Sequence, residues 1–256
     1  MYFDTHAHFD DSRYDGDRDI AIREALDSGV SLITNIGADI KSSFDSVELA
    51  NKYDEIYATV GAHPYDAEEI TDGNLDKLRE LAKNNRKVVA IGEIGLDYYR
   101  GGDSKKEQIE AFRNQIALAR ELNLPVVIHS RDATEDTMRI IKEEKVSELG
   151  GVMHCFAGSV ETAREVIKNN LYISFGGVLT FKNAKTAREV FETIPLEHIL
   201  VETDCPYLAP EPFRGKRNSS ALLKYVIYKM AELSGETAEY IAKTTLENGK
   251  KMYRID

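Results

Sequence analysis

Apolar positions along the chain alternate between two patterns. Short β-rich runs such as Val88-Val89-Ala90-Ile91 and Val126-Val127-Ile128 are continuous, as expected of strands buried on both faces. Longer segments between them repeat their apolar residues at the helical period. The predicted strands are Tyr2–Thr5, Leu32–Ile36, Ile56–Val60, Val88–Ile91, Pro125–His129, Gly151–Met153, Leu171–Ser174 and Ile199–Glu202. Amphipathic stretches such as Asp17–Asp27, Lys105–Leu122, Thr134–Lys145 and Glu161–Lys168 separate them. From Ser219 to about Met252 the pattern predicts two final helices broken near Ser234-Gly235. Eight strands alternating with helices predict an α/β fold, a single (β/α)8 TIM barrel over residues 1–256. A doubly wound open sheet is the alternative, but no GxGxxG fingerprint follows the first strand.

Composition narrows the picture. The 42% apolar content suits a chain with a large core, and nothing resembling a linker or repeat divides it. The opening residues lack the basic and apolar regions of a signal peptide, and no apolar run approaches the ~18 residues of a membrane span. Two cysteines, Cys155 and Cys205, are too few for a disulfide scaffold. The expectation is a cytoplasmic protein with no membrane partner; nothing indicates an organic cofactor or an oligomeric state. The net charge of −11 argues against passive coating of nucleic acid. It leaves room for a nuclease, because bound cations and a few local Arg and Lys residues can reverse the potential of one cleft.

Histidines and carboxylates mark one end of the barrel. His6 and His8 follow the first strand in Asp4-Thr5-His6-Ala7-His8, and a spacing of two puts both rings on one face of extended backbone. Glu93 lies two residues beyond the fourth strand, His129 ends the fifth, His154 ends the sixth, and Asp204 follows the eighth. Catalytic groups of such barrels gather at this carboxyl end. Imidazole and carboxylate together suit Zn2+, Mn2+ and related ions. Six ligands exceed the needs of one catalytic ion, so two divalent ions (Zn, Mg, Mn or similar) are expected. Glu93, on a middle strand, would bridge them, with His6, His8 and Asp204 on one ion and His129 and His154 on the other. His63, in Gly61-Ala62-His63-Pro64, lies at the same rim and contacts substrate, supports a ligand from behind, or has a structural turn role; His198, before the eighth strand, belongs to the opposite rim.

In family order over nearly the whole chain, these segments resemble the TatD family of metal-dependent deoxyribonucleases, within the amidohydrolase-like barrels. The matching pieces are Asp4-Thr5-His6-Ala7-His8, Gly61-Ala62-His63-Pro64, Gly92-Glu93-Ile94-Gly95-Leu96-Asp97, His129-Ser130-Arg131-Asp132, His154-Cys155-Phe156 and Glu202-Thr203-Asp204-Cys205-Pro206, with Arg214-Gly215-Lys216-Arg217-Asn218 behind them. The resemblance implies a divalent-metal phosphodiesterase acting on DNA, with Glu93 shared between ions and the remaining ligands divided as above. Cys205 stands where many relatives carry Ser or Ala, and a thiol so near a metal could coordinate or oxidise.

The reaction expected is attack of a metal-activated water on a phosphodiester, with Asp204 and Glu93 as the catalytic carboxylates and Asp204 accepting the water's proton. Single-stranded DNA or DNA ends are the expected substrate. Arg131, Arg214 and His63 are candidates for substrate binding, with Lys216 and Arg217 beside Arg214 in a basic loop. Glu202 would support a ligand from behind or satisfy buried polar groups. Tyr98, Tyr99 and Phe156 near the rim read as packing aromatics first and base-stackers second. Related barrels hydrolyse esters and amides with similar ligands, so a metallo-deacylase, for example on aminoacyl-tRNA, is the rival enzyme. A non-catalytic metal or nucleic-acid binding protein is the rival of another class.

Overall fold

In the computed structural model, which describes residues 1–256, eight parallel strands form one sheet in chain order. They are β1 (Tyr2–Ala7), β2 (Val30–Asn35), β3 (Ile56–Val60), β4 (Val88–Asp97), β5 (Val126–Arg131), β6 (Gly151–Met153), β7 (Leu171–Phe175) and β8 (Ile199–Val201). Seven helices fill the crossovers: α1 (Arg18–Asp27), α2 (Ile40–Lys52), α3 (Asp72–Asn84), α4 (Lys105–Leu122), α5 (Thr134–Glu143), α6 (Val160–Lys168) and α7 (Lys185–Thr193). Two more, α8 (Leu223–Ser234) and α9 (Ala238–Tyr253), complete the chain, with Gly235 in the left-handed region ending α8 at the expected break. No helix is long and apolar enough to cross a membrane.

Strand β1 meets the segment after β8 through an isolated bridge, Ala7 to Cys205, and no ladder joins β1 to β8. The His8 amide donates to the Cys205 carbonyl (2.8 Å) and the Asp204 amide to the His6 carbonyl (2.9 Å). This seam nearly closes the barrel, and it joins the backbones of three expected metal ligands directly.

Alternating strand residues face two cores, which is why the strands read as unbroken apolar runs. Ile33, Ile56, Ile91, Val126, Ile128, Ile173, Ile199 and Val201 pack outward on the helix layer. Phe3, Val89, Val127, Val152 and Leu200 face inward and meet Met252, Tyr253 and Ile255 from the end of the chain. The Tyr253 hydroxyl donates to the Thr5 carbonyl at 2.8 Å. Local signals fix several helix starts: Asp39 and Ser42 form a reciprocal capping box on α2, and Thr71, Ser159 and Thr237 cap α3, α6 and α9.

Strand β4 departs most from the sequence reading. It runs six residues past Ile91, so Glu93 lies inside it rather than beyond it. Ile94, Gly95, Leu96 and Asp97 pair with Ile128, His129, Ser130 and Arg131, after a register shift between Ile91 and Ile94. The two glycines in this extension are demanded by close packing. A Cβ on Gly92 would lie 2.5 Å from the Val127 Cβ, and Gly95, at φ +141°, would carry one 2.0 Å from the His129 carbonyl oxygen.

Candidate metal centre

Glu93 occupies the centre of the carboxyl-end cleft, 4% exposed, and presents one oxygen to each of two histidine sets. Its Oε2 lies 3.4 Å from His6 Nε2 and 3.8 Å from His8 Nε2. Its Oε1 lies 2.9 Å from His129 Nδ1 and 2.8 Å from His154 Nε2. Asp204 Oδ1 joins the first set, 3.7 Å from His6 Nε2 and 3.5 Å from His8 Nε2. The six residues named from sequence therefore converge, and two groups, His6–His8–Glu93 and Glu93–His129–His154, are compact enough to hold an ion.

The donor chemistry fits a cation in each group. His8 Nδ1 lies 3.1 Å from the Ile36 carbonyl, so a neutral ring carries its proton there and turns the Nε2 lone pair into the cleft. That atom faces His6 Nε2 at 3.1 Å and two carboxylates. A tetrahedral site with bonds of about 2.0–2.2 Å has ligand–ligand edges of about 3.3–3.6 Å, close to the spacings of the first group. In the second group His129 Nδ1 and His154 Nε2 are 3.2 Å apart. Buried carboxylates and imidazoles facing one another this closely call for positive charge, and without metal it comes from protons. Burial pushes the His8 imidazolium down, but Asp204 and Glu93 outweigh it and raise its pKa to about 9. His154 is likewise opposed by burial and raised well above its ordinary value by Glu93 and Glu202. Burial pushes the Glu93 carboxyl up, yet His154, His129 and His6 hold it well below the ordinary range.

Two further carboxylates, Asp97 and Asp4, brace the cluster. Asp97, fully buried at the end of β4, accepts from Tyr65 Oη (2.8 Å) and lies 3.1 Å from His129 Nε2. It fixes the tautomer that turns Nδ1 toward Glu93. Asp4, also fully buried, accepts from the Thr203 amide (2.9 Å), Thr203 Oγ1 (2.5 Å), Ser220 Oγ (2.5 Å) and the His6 amide (3.3 Å). It ties β1 to the segment after β8, holding His6 and Asp204 in one place; burial raises its pKa to about 7 against those four donors.

Glu202 lies behind His154, with Oε1 3.6 Å from His154 Nδ1, and accepts from the Cys155 amide (2.8 Å) and Ser174 Oγ (2.6 Å). Glu202 thus satisfies buried donors of Cys155 and Ser174, while His154 Nδ1, buried beside it, has no hydrogen-bond partner. His63 lies beside the second group, its Nε2 3.7 Å from Glu93 Oε1 and its ring against that of His129 at a centroid distance of 4.4 Å. Its Nδ1 accepts from the Tyr65 amide at 3.1 Å, which leaves the proton of the neutral ring on Nε2. Burial holds the His63 pKa at about 4.

The cleft above these groups has a volume of about 740 Å3. Arg131 and Arg100 line the wall next to β4 and β5, and Asp10, Asp11, Asp39 and Asp45 line the opposite one. Arg131 stacks on Tyr99 at 3.9 Å. Arg214 does not line the cleft; its guanidinium stacks on Phe181 at 4.3 Å. Arg217, from the same basic loop, is engaged with both oxygens of Asp17 (2.7 and 2.6 Å). Cys205 also lies apart from the cluster. Its fully buried thiol packs 3.9 Å from Ser220 Oγ, and burial pushes it up to about 12, so it neither joins the histidines and carboxylates nor ionises at neutral pH. Phe156 is core, Tyr98 donates to Asp136 (2.8 Å), and His198 packs against Tyr172 away from the cleft.

Comparison with known proteins adds a family to this geometry. The family model described as TatD related DNase matches residues 3–254. The uncharacterized metal-dependent hydrolase YabD of Bacillus subtilis (strain 168) is 50% identical over 256 residues, with all of both chains covered. The 3'-5' ssDNA/RNA exonuclease TatD of Escherichia coli (strain K12) is 34% identical over 258 residues, covering 99% of each chain. Among solved structures, that of the TatD homolog YjjV from Escherichia coli K12 superposes with a TM-score of 0.94 at 30% identity, covering 100% of this chain and 98% of the other. The chain belongs to the TatD family and is a metal-dependent hydrolase.

Proposed function

We propose that this protein is a two-metal phosphodiesterase that cleaves single-stranded DNA. The observation that carries the reading is the split carboxylate of Glu93, one oxygen toward His6 and His8 and the other toward His129 and His154. Asp204 completes the first group. Bound divalent ions would supply Lewis acidity toward a phosphoryl oxygen and make water acidic near neutral pH.

The protein's own groups divide the remaining work. Asp204 is the more open of the two carboxylates, its side chain 16% exposed against 5% for Glu93, and it accepts the proton of the attacking water. Its pKa is held below the ordinary range because His8 and His6 outweigh its burial, so it is ionised and ready to accept. His63, neutral at pH 7, donates its Nε2 hydrogen to a phosphoryl oxygen. Arg131, at the end of β5, takes the phosphate next along the strand, with Arg100 beside it. Arg214 contacts DNA only beyond the cleft. The Escherichia coli relative called an ssDNA/RNA exonuclease supports single-stranded nucleic acid as the substrate.

The test is digestion of end-labelled single-stranded DNA with Mg2+, Mn2+ or Zn2+, alongside ester and amide substrates. Metal-dependent shortening of the labelled strand is expected. Turnover confined to esters or amides would make the protein a deacylase, and bound metal without any turnover would make it a binding protein.

A further inference from the structure

Two exposed tyrosines flank the metal centre in matching ways. Tyr65, in the short 3-10 turn after β3, is 44% exposed; Tyr207, in the loop after β8, is 40% exposed. Each stands edge-on to a histidine of the cleft. Tyr65 meets His63 at a centroid distance of 4.4 Å and 67°, and Tyr207 meets His8 at 6.2 Å and 75°. Each hydroxyl is anchored on a carboxylate at 2.8 Å, Asp97 for Tyr65 and Asp11 for Tyr207. Each ring also has a guanidinium near it, Arg100 at 5.9 Å and Arg13 at 4.4 Å.

Both rings line the cleft and are exposed to it. Here the rings are held by their hydroxyls, so little freedom is lost when a partner stacks on them. Nucleobases have the matching flat surface, and the nearby guanidiniums suit phosphate or the base itself. Tyr65 lies on the His129–His154 side of Glu93, through His63, and Tyr207 on the His6–His8 side. A strand whose phosphate sits over Glu93 would thus offer one base to each ring.

We infer that Tyr65 and Tyr207 form a clamp that stacks the two nucleobases on either side of the cleaved phosphodiester. This rests on the nuclease reading above and adds to it the feature that selects a flexible single strand. A paired base cannot turn its face onto either ring without leaving its helix.

The experiment uses single-stranded oligonucleotides with one abasic site moved stepwise past the cleaved bond, and a parallel set with 2-aminopurine in the same positions. In the wild type, two adjacent abasic positions are expected to raise KM about tenfold each, and the same two 2-aminopurines should lose fluorescence on binding in chelator. Tyr65→Leu should abolish the response at one position and Tyr207→Leu at the other, whereas Tyr65→Phe and Tyr207→Phe keep both. The Phe variants separate ring from hydroxyl and guard against a folding defect. Cleavage by the wild type with no position-dependent response, or Leu variants that keep it, would overturn the clamp and leave the nuclease reading intact. Absence of any binding or cleavage of single strands would overturn both.

Discussion

His129 Nε2 faces Asp97 Oδ2 at 3.1 Å, and this contact decides which nitrogen of His129 can meet a metal ion. With the Nε2 hydrogen donated to Asp97, the Nδ1 lone pair is turned toward Glu93 and His154. Asp97 also accepts from the Tyr99 and Arg100 amides at 3.0 and 3.1 Å, so His129 is braced against the loop that carries Arg100. Replacing Asp97 with Asn should lower metal affinity about 10- to 100-fold, the range for carboxylates behind metal-bound histidines. Competition against a chromophoric chelator measures it. An unchanged affinity would make the contact incidental.

Metal content should follow the two halves of the centre. His129→Ala and His154→Ala are expected to lose one of two equivalents while retaining the first, and His6→Ala or His8→Ala the reverse. Glu93→Ala, which touches both, should weaken both. Elemental analysis after gel filtration reads this directly, with circular dichroism as the check on folding. Loss of all metal from every variant would indicate a single shared ion.

Without metal, stability should depend on pH in a defined direction. The His8 pKa is about 9 in the folded protein against an ordinary 6.5. A raised pKa contributes stability that is complete below about 6.5 and lost as pH climbs through about 9. His129 and His154 are raised too and act with the same sign. Glu93 and Asp204 lie below their ordinary values and stay ionised throughout this window. The chelator-treated protein should therefore lose stability on the order of 1–3 kcal/mol from pH 6.5 to 9 and melt at progressively lower temperature. Added divalent ion should largely remove the slope, because it displaces those protons. Thermal melts across that range, with and without chelator, test the sign.

Arg131 and Arg214 should behave differently on a DNA substrate. Arg131→Ala removes a cation from the cleft wall and should raise KM about 5- to 50-fold with a smaller effect on kcat. Arg131→Lys should recover only part of it. Arg214→Ala, outside the cleft, should change KM less than about threefold on a short oligonucleotide. Equal losses for the two would mean that the strand reaches the loop at Arg214.

Much of the molecule was legible in the chain. Continuous apolar runs separated by amphipathic segments specify buried parallel strands and covering helices, because each pattern matches one repeat of backbone geometry. The helix Lys105–Leu122 and the strand Gly151–Met153 fall where the pattern puts them. The cluster of candidate ligands was legible because imidazoles and carboxylates recur at the carboxyl ends of the strands, where such groups gather. The even spacing that paired His6 with His8 also applies to Asp4, and that from Glu93 applies to Asp97. That signal could have found both bracing carboxylates.

Other features are set by tertiary contact. The extension of β4 through Gly92 and Gly95 depends on how closely Val127 and His129 approach, which no local propensity records. Arg131 and Arg214 have the same chemistry, and only the folded chain turns one toward the cleft and the other onto Phe181. Cys205 neighbours Asp204 in sequence, yet the turn after β8 sends its thiol into the core. Residue types and spacing thus determined the barrel and its inventory of candidate ligands, since both follow from short-range periodicity and donor chemistry. Orientation of each side chain, and with it the braces and the walls of the cleft, was decided only when distant segments packed, since those contacts have no counterpart along the chain.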